Sequence, residues 1–149
     1  METAFDQNLA PRIIITIVAL AIAVGPMVAD FNKTHATNPL WPPHARFHVV
    51  WQVLIQTGSS VLALVLLWRD SADYVFHLYL AASIVYVWII TFFATLASMG
   101  LFDGALRDVN GIPPFRFKLS GRVLEVDTNL FGVSLFTVVT TVAVVLING

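Results

Sequence analysis

His44, His48 and Gln52 recur at i, i+4 and i+8, the spacing that stacks side chains along one stripe of an α-helix. Gln56 extends the stripe, and the residues from His44 to Gln56 carry it roughly 18 Å along a helix axis. Imidazole changes charge near neutral pH and suits a proton shuttle. A carboxamide offers both a donor and an acceptor to a ligand's polar head. Asp30, upstream of the stripe, is the candidate to orient or recharge His48, and Glu125 is the candidate second acid. Trp51, Tyr86 and Trp88 present ring faces that can stabilise a developing cation. Such a set suits isomerisation or cyclisation of a hydrophobic molecule by proton transfer. It assigns catalysis to His48, Asp30 and Glu125, and ligand binding to His44, Gln52, Asn38, Trp51, Tyr86 and Trp88.

Other chemistries are poorly served. The chain has no cysteine, which removes disulfides, thiolate metal sites, iron–sulfur clusters and cysteine nucleophiles. His44-x-x-x-His48 has a spacing that zinc can use, and His35 is a third candidate ligand. The remaining histidine, His77, opens a different apolar segment from the opposite side. It should lie roughly 20–25 Å from His48 along the membrane normal, too far to share a haem. No phosphate loop and no Gly-x-Ser-x-Gly elbow is present. Neither a metal nor a cofactor is therefore expected.

The elements that must position these residues are set by composition. Of 149 residues, 58% are hydrophobic and 11% charged, against about 25% charged in an average soluble domain. The formal net charge of −1 leaves no basic field for nucleic acid. Residues 13–29, 44–68, 74–99 and 129–147 each approach or exceed the roughly 20 apolar residues that cross a bilayer. The first is read as a retained helix: Glu2 and Asp6 precede it, and Met27 spoils the small-x-small cleavage pattern that would end at Ala29. Pro26 removes an amide donor late in that segment. Arg69 to Asp73 is a short connection, which makes the second and third segments antiparallel neighbours. In the long connection after the third, residues 115–119 and 122–126 alternate around Ser120-Gly121, the pattern of a β-hairpin. Asp127, Thr128 and Asn129 offer N-caps to the fourth helix. The expected fold is an all-α integral membrane four-helix bundle with this short hairpin, one four-span domain over residues 1–149.

Lys33, Arg46, Arg107, Arg116, Lys118 and Arg122 fall on the side of the long connections, and only Arg12 and Arg69 on the other. The positive-inside rule therefore puts the long connections in the cytoplasm. The polar stripe descends from that same side into the hydrocarbon. Polar groups facing lipid are costly, so the stripe is expected to face the bundle interior or a wet cavity.

Asp30 at the end of the first span, Asn38-Pro39-Leu40, Pro42-Pro43 and His48-Val-Val-Trp-Gln52 together resemble the EXPERA families of small membrane proteins, the emopamil-binding sterol isomerases and sigma-2-type receptors. The resemblance covers the first three spans best. It implies a pocket for sterols or amphiphilic amines. Asn38 and Gln52 stand where those families carry acids, and an amide neither protonates an alkene nor pairs with an ammonium. The expected function is intramembrane binding of a hydrophobic small molecule of sterol or isoprenoid type, with isomerisation or cyclisation if it is catalytic. The alternative is a non-catalytic accessory subunit of a larger membrane complex. Expected partners are the hydrophobic ligand and the bilayer, with a second copy or a membrane partner compatible and nucleic acid excluded.

Overall fold

The computed structural model describes residues 8–107 and 111–148. Glu2 and Asp6, read above as charges flanking the first span, lie outside them. The chain forms helices α1 (Leu9–Asp30), α2 (Pro43–Trp68) and α3 (Tyr74–Ser98), a 3₁₀ turn (Met99–Leu101), strands β1 (Phe115–Leu119) and β2 (Arg122–Val126), and helix α4 (Thr128–Asn148). All four helices are long and apolar enough to cross a membrane. Their boundaries follow local chemistry. Pro42 is extended and Pro43 opens α2, where a missing amide hydrogen costs no helical bond. Asp127 caps α4, its Oδ1 accepting from the amides of Asn129 at 2.8 Å and Leu130 at 3.2 Å. Helix α1 starts four residues before the apolar run, and the amide of Arg12 closes its first turn on the carbonyl of Asn8 at 3.2 Å.

The hairpin has the anticipated limits and a continuous antiparallel register from Phe115↔Val126 to Leu119↔Arg122. Its turn places Ser120 at φ 48° and Gly121 at φ 81°. Two consecutive left-handed residues match the twist of the strands that they join, and glycine takes that conformation without steric penalty.

Helix α1 packs on α2 and α4, α3 packs on the same two, and α1 meets α3 across the diagonal. Ala19, Ala63, Ala81, Ala82 and Ala143 are buried at the seams, and small residues let helix backbones approach closely. Side chains add cross-links. Thr57 donates to the carbonyl of Ala23 at 3.0 Å, and the Tyr86 and Thr141 hydroxyls meet at 2.7 Å. The outward surface is apolar on every helix, with Ile17, Val24, Phe47, Leu54, Val87, Val138 and Val145 all exposed. That is the pattern of a surface solvated by hydrocarbon rather than by water.

Burial is uneven along the bundle. In α1 it ends at Ala23 and in α3 at Ile89; in α2, Val53 apart, it begins at Ser60, and in α4, Val133 apart, at Thr140. The core therefore fills the half nearest the 69–73 connection. At that closed end Arg12 is fully buried. Its guanidinium lies 4.4 Å from the Tyr74 ring centroid and 5.0 Å from that of Trp68. The Trp68 indole donates to Thr16 Oγ1 at 3.0 Å, and Thr16 in turn donates to the carbonyl of Arg12 at 2.8 Å. Pro26 sits just beyond the last buried residue of α1, where the loss of one backbone bond leaves the packed half undisturbed.

Candidate functional site

A cleft of about 800 Å³ lies at the other end of the bundle, open to one side. It is lined by the last turns of α1 from Gly25 to Asp30, by Asn32, His35 and Trp41 of the following loop, by Ala105, Leu106 and Arg107, by Gly111 and Ile112, and by Asp127 with Asn129 at the start of α4. Val28, Ala29, Trp41, Leu106 and Ile112 supply its apolar walls. Small-molecule pockets span roughly 300–1,000 Å³.

One wall carries a connected polar group. Asp30 Oδ1 lies 3.5 Å from His35 Nδ1, and each side chain keeps about a quarter of its surface exposed, 24% and 23%. Asp30 closes α1, so its carboxylate stands at the negative end of the helix dipole, where a cation or hydrogen-bond donor is favoured. The loop fixes the imidazole. Asn32 Nδ2 donates to the carbonyls of Val28 and Ala29, which orients its Oδ1 toward Thr34. The Thr34 hydroxyl has one hydrogen and two acceptors in reach, Asn32 Oδ1 at 2.6 Å and the Ala29 carbonyl at 3.2 Å. Its 2.7 Å contact with His35 Nδ1 is then one in which the ring nitrogen donates. The neutral imidazole therefore carries its hydrogen on Nδ1 and keeps Nε2 as an acceptor or base. Trp41 meets the same ring edge-on, with centroids 5.1 Å apart.

Asn38 holds the loop in shape. It is buried, donates from Nδ2 to the Thr34 carbonyl at 2.9 Å, and accepts the Leu40 amide on Oδ1 at 3.0 Å. Read from sequence as a ligand contact, it instead positions the segment that carries Trp41.

The remaining predicted residues are not gathered at this cleft. His44, His48, Trp51 and Gln52 are exposed on the outside of α2, which corrects the expectation that the stripe faces inward. His44 and His48 bond to one another, Nε2 to Nε2 at 3.0 Å, one donating and the other accepting. Gln56 alone turns inward, and its buried Oε1 has no hydrogen-bond partner among the described residues. Geometry accounts for the split. Four residues overshoot one helical turn, so a stripe at i, i+4, i+8 and i+12 winds roughly 120° around the helix. Asp30 therefore has His35 as its partner rather than His48. Glu125 is also elsewhere: it is shared between Arg116 Nε at 3.0 Å and Arg107 Nη1 at 3.5 Å on the hairpin side. Tyr86 is held by Thr141, and Trp88 packs on Phe136 with centroids 6.1 Å apart. Among the described residues, no group of three or more His, Asp or Glu side chains is arranged to hold a metal ion.

His35, named from sequence only as a candidate metal ligand, and Trp41, Arg107 and Asp127 are among the cleft residues that were not singled out as contacts of a hydrophobic ligand. The signal for His35 was its separation of five residues from Asp30 across a segment containing Asn32 and Thr34, both turn-forming types.

The profile of a family of unknown function, DUF6640, matches residues 14–110. The chain belongs to that family. The matched stretch includes Asp30, His35, Trp41 and Arg107, and it ends before the hairpin. No curated protein and no solved structure matches the chain.

Proposed function

We propose that this family member is a multi-pass integral membrane protein that binds an amphiphile of sterol or isoprenoid type in the cleft at the open end of its bundle. The carrying observation is the meeting, in one wall of an 800 Å³ cleft, of a half-buried carboxylate, an imidazole and an indole. A hydroxyl or amine head would donate to Asp30 and to His35 Nε2. The hydrocarbon body would lie along Val28, Ala29, Leu106 and Ile112. The EXPERA-like order of Asp30, Asn38-Pro39-Leu40 and Pro42-Pro43 supports the same reading, because these residues begin, brace and end the loop that walls the cleft. If the ligand is turned over, the proton carrier is His35 backed by Asp30, since these two line the cleft and His48 does not.

The test is photolabelling of the purified protein in nanodiscs with diazirine derivatives of cholesterol and of geranylgeraniol. Adducts on residues 25–41 and 105–129, competed by the unlabelled alcohol and weakened by Asp30→Asn and His35→Ala, are the expected result. Adducts scattered over the outer faces of the helices and insensitive to competitor would overturn the reading. A chain that is stable only with a co-purifying partner would favour the accessory-subunit alternative.

A further inference from the structure

The hairpin is divided into two chemically distinct faces. Strand alternation and the register put Phe115, Phe117, Leu119, Leu124 and Val126 on one side, and Arg116, Lys118, Val123 and Glu125 on the other. No position of either strand is buried; all are exposed except Val126, which is half-buried. Among the described residues neither strand packs extensively on a helix. An isolated two-stranded hairpin is marginal in water and needs a surface for its apolar side.

Three observations identify that surface. The apolar side continues the outer face of α4: Phe115 meets Phe131 edge-on with centroids 5.1 Å apart, and Phe131, Leu135, Val138 and Val142 run exposed down that helix. Whatever medium solvates the outside of α4 therefore also reaches the hairpin. The second is charge. Within residues 115–126, Arg116, Lys118 and Arg122 stand against Glu125, a balance that favours phosphate. The third is anchorage. Thr128 Oγ1 donates to the Pro113 carbonyl at 2.8 Å, and Glu125 ties β2 to Arg107. These bonds hold the hairpin at the end of α4, the level of a headgroup layer.

We propose that the hairpin lies in the bilayer interface, with Phe117, Leu119 and Leu124 in the acyl boundary and Arg116, Lys118 and Arg122 on the phosphates of anionic lipid. Arg122 shares the apolar side at the turn, where its long stem carries the charge sideways to the headgroups. The positive-inside reading places this end at the cytoplasmic leaflet, where anionic lipid is concentrated.

The absence of cysteine makes the test direct. Nitroxides are attached to Phe117→Cys, Leu124→Cys, Lys118→Cys and Val123→Cys variants of the full chain, reconstituted at about one protein per vesicle in phosphatidylcholine with or without phosphatidylserine. Labels at 117 and 124 should collide more with oxygen than with a water-soluble nickel chelate, and labels at 118 and 123 the reverse. Phosphatidylserine should strengthen the contrast. Replacing Arg116 and Arg122 by Gln should weaken that dependence, by about fivefold per charge removed. Equal nickel access to both faces would overturn the proposal and leave the hairpin free for a soluble partner. Equal protection of both faces would overturn it in favour of a protein contact. Immersion that does not respond to phosphatidylserine would strike out the part given to the basic residues.

Discussion

The closed end of the bundle makes a quantitative demand on Arg12. Its guanidinium lies 4.4 Å from the centroid of Tyr74, which is 7% exposed, and 5.0 Å from that of Trp68, which is 48% exposed. A cation over a ring is worth roughly 2 kcal/mol when desolvated and roughly 0.5–1 kcal/mol when exposed. The two contacts together should therefore supply about 3 kcal/mol, a factor of about one hundred in the folding constant. Arg12→Met keeps most of the stem and removes the charge. It should cost at least that amount, the Tyr74 hydroxyl being a further Arg12 partner, in reversible unfolding of the purified protein by dodecyl sulfate in mixed micelles, followed by tryptophan fluorescence. Double-mutant cycles with Tyr74→Leu and Trp68→Leu separate the two contacts, and the Tyr74 coupling should be the larger. Arg12→Met within about 0.5 kcal/mol of the parent, with couplings inside the usual error of additivity, would refute the assignment and reduce Arg12 to a filler of space.

The other predictions concern the open end and the cross-links. His44→Ala and His48→Ala should leave alcohol photolabelling of the cleft unchanged, because neither residue lines it; loss of labelling in His48→Ala would restore the stripe as the site. Asn38→Ala should weaken labelling several-fold by releasing the loop that carries Trp41, and thermal unfolding should move little; a large thermal shift with intact labelling would contradict that division. Asp127→Ala leaves two α4 amides uncapped and should cost about 1 kcal/mol, while Asp127→Asn should restore most of it. Tyr86→Phe removes one interhelical hydroxyl bond and should cost roughly 0.6 kcal/mol in the same unfolding assay; a cost beyond about 2 kcal/mol would point to a further role for that hydroxyl.

The spans, the hairpin with its turn and the α4 cap were legible in the sequence because each depends on neighbours in the chain. Apolar run length, alternation about Ser120-Gly121 and a carboxylate before Thr128 are local signals. The orientation of α2 was not legible. In a water-soluble bundle polarity separates inside from outside, but here the outer faces are as apolar as the core, and a histidine stripe has no contrast against which to be read. The cleft was hidden for a related reason. Its walls come from chain segments as far apart as Asp30 and Asp127, and only Asp30 with His35 is close enough in sequence to suggest a pair. Arg12 was counted as a flanking charge. It lies inside, against the rings of Trp68 and Tyr74, and no spacing rule announces that.

The separation of a tightly seamed half from an open half has a consequence for how this fold can diversify. The seams that determine whether the chain folds are formed by alanines, Ile15, Leu67 and Leu78, all remote from Asp30, His35 and Trp41. Residues around the cleft belong to loops and helix ends, where substitution usually costs little stability. If the cleft holds the proposed amphiphile, a lineage could exchange one guest molecule for another by altering a handful of rim positions while the scaffold drifts under a separate constraint. Sequence variation across the family should then fall into two independent sets, one at each end of the bundle.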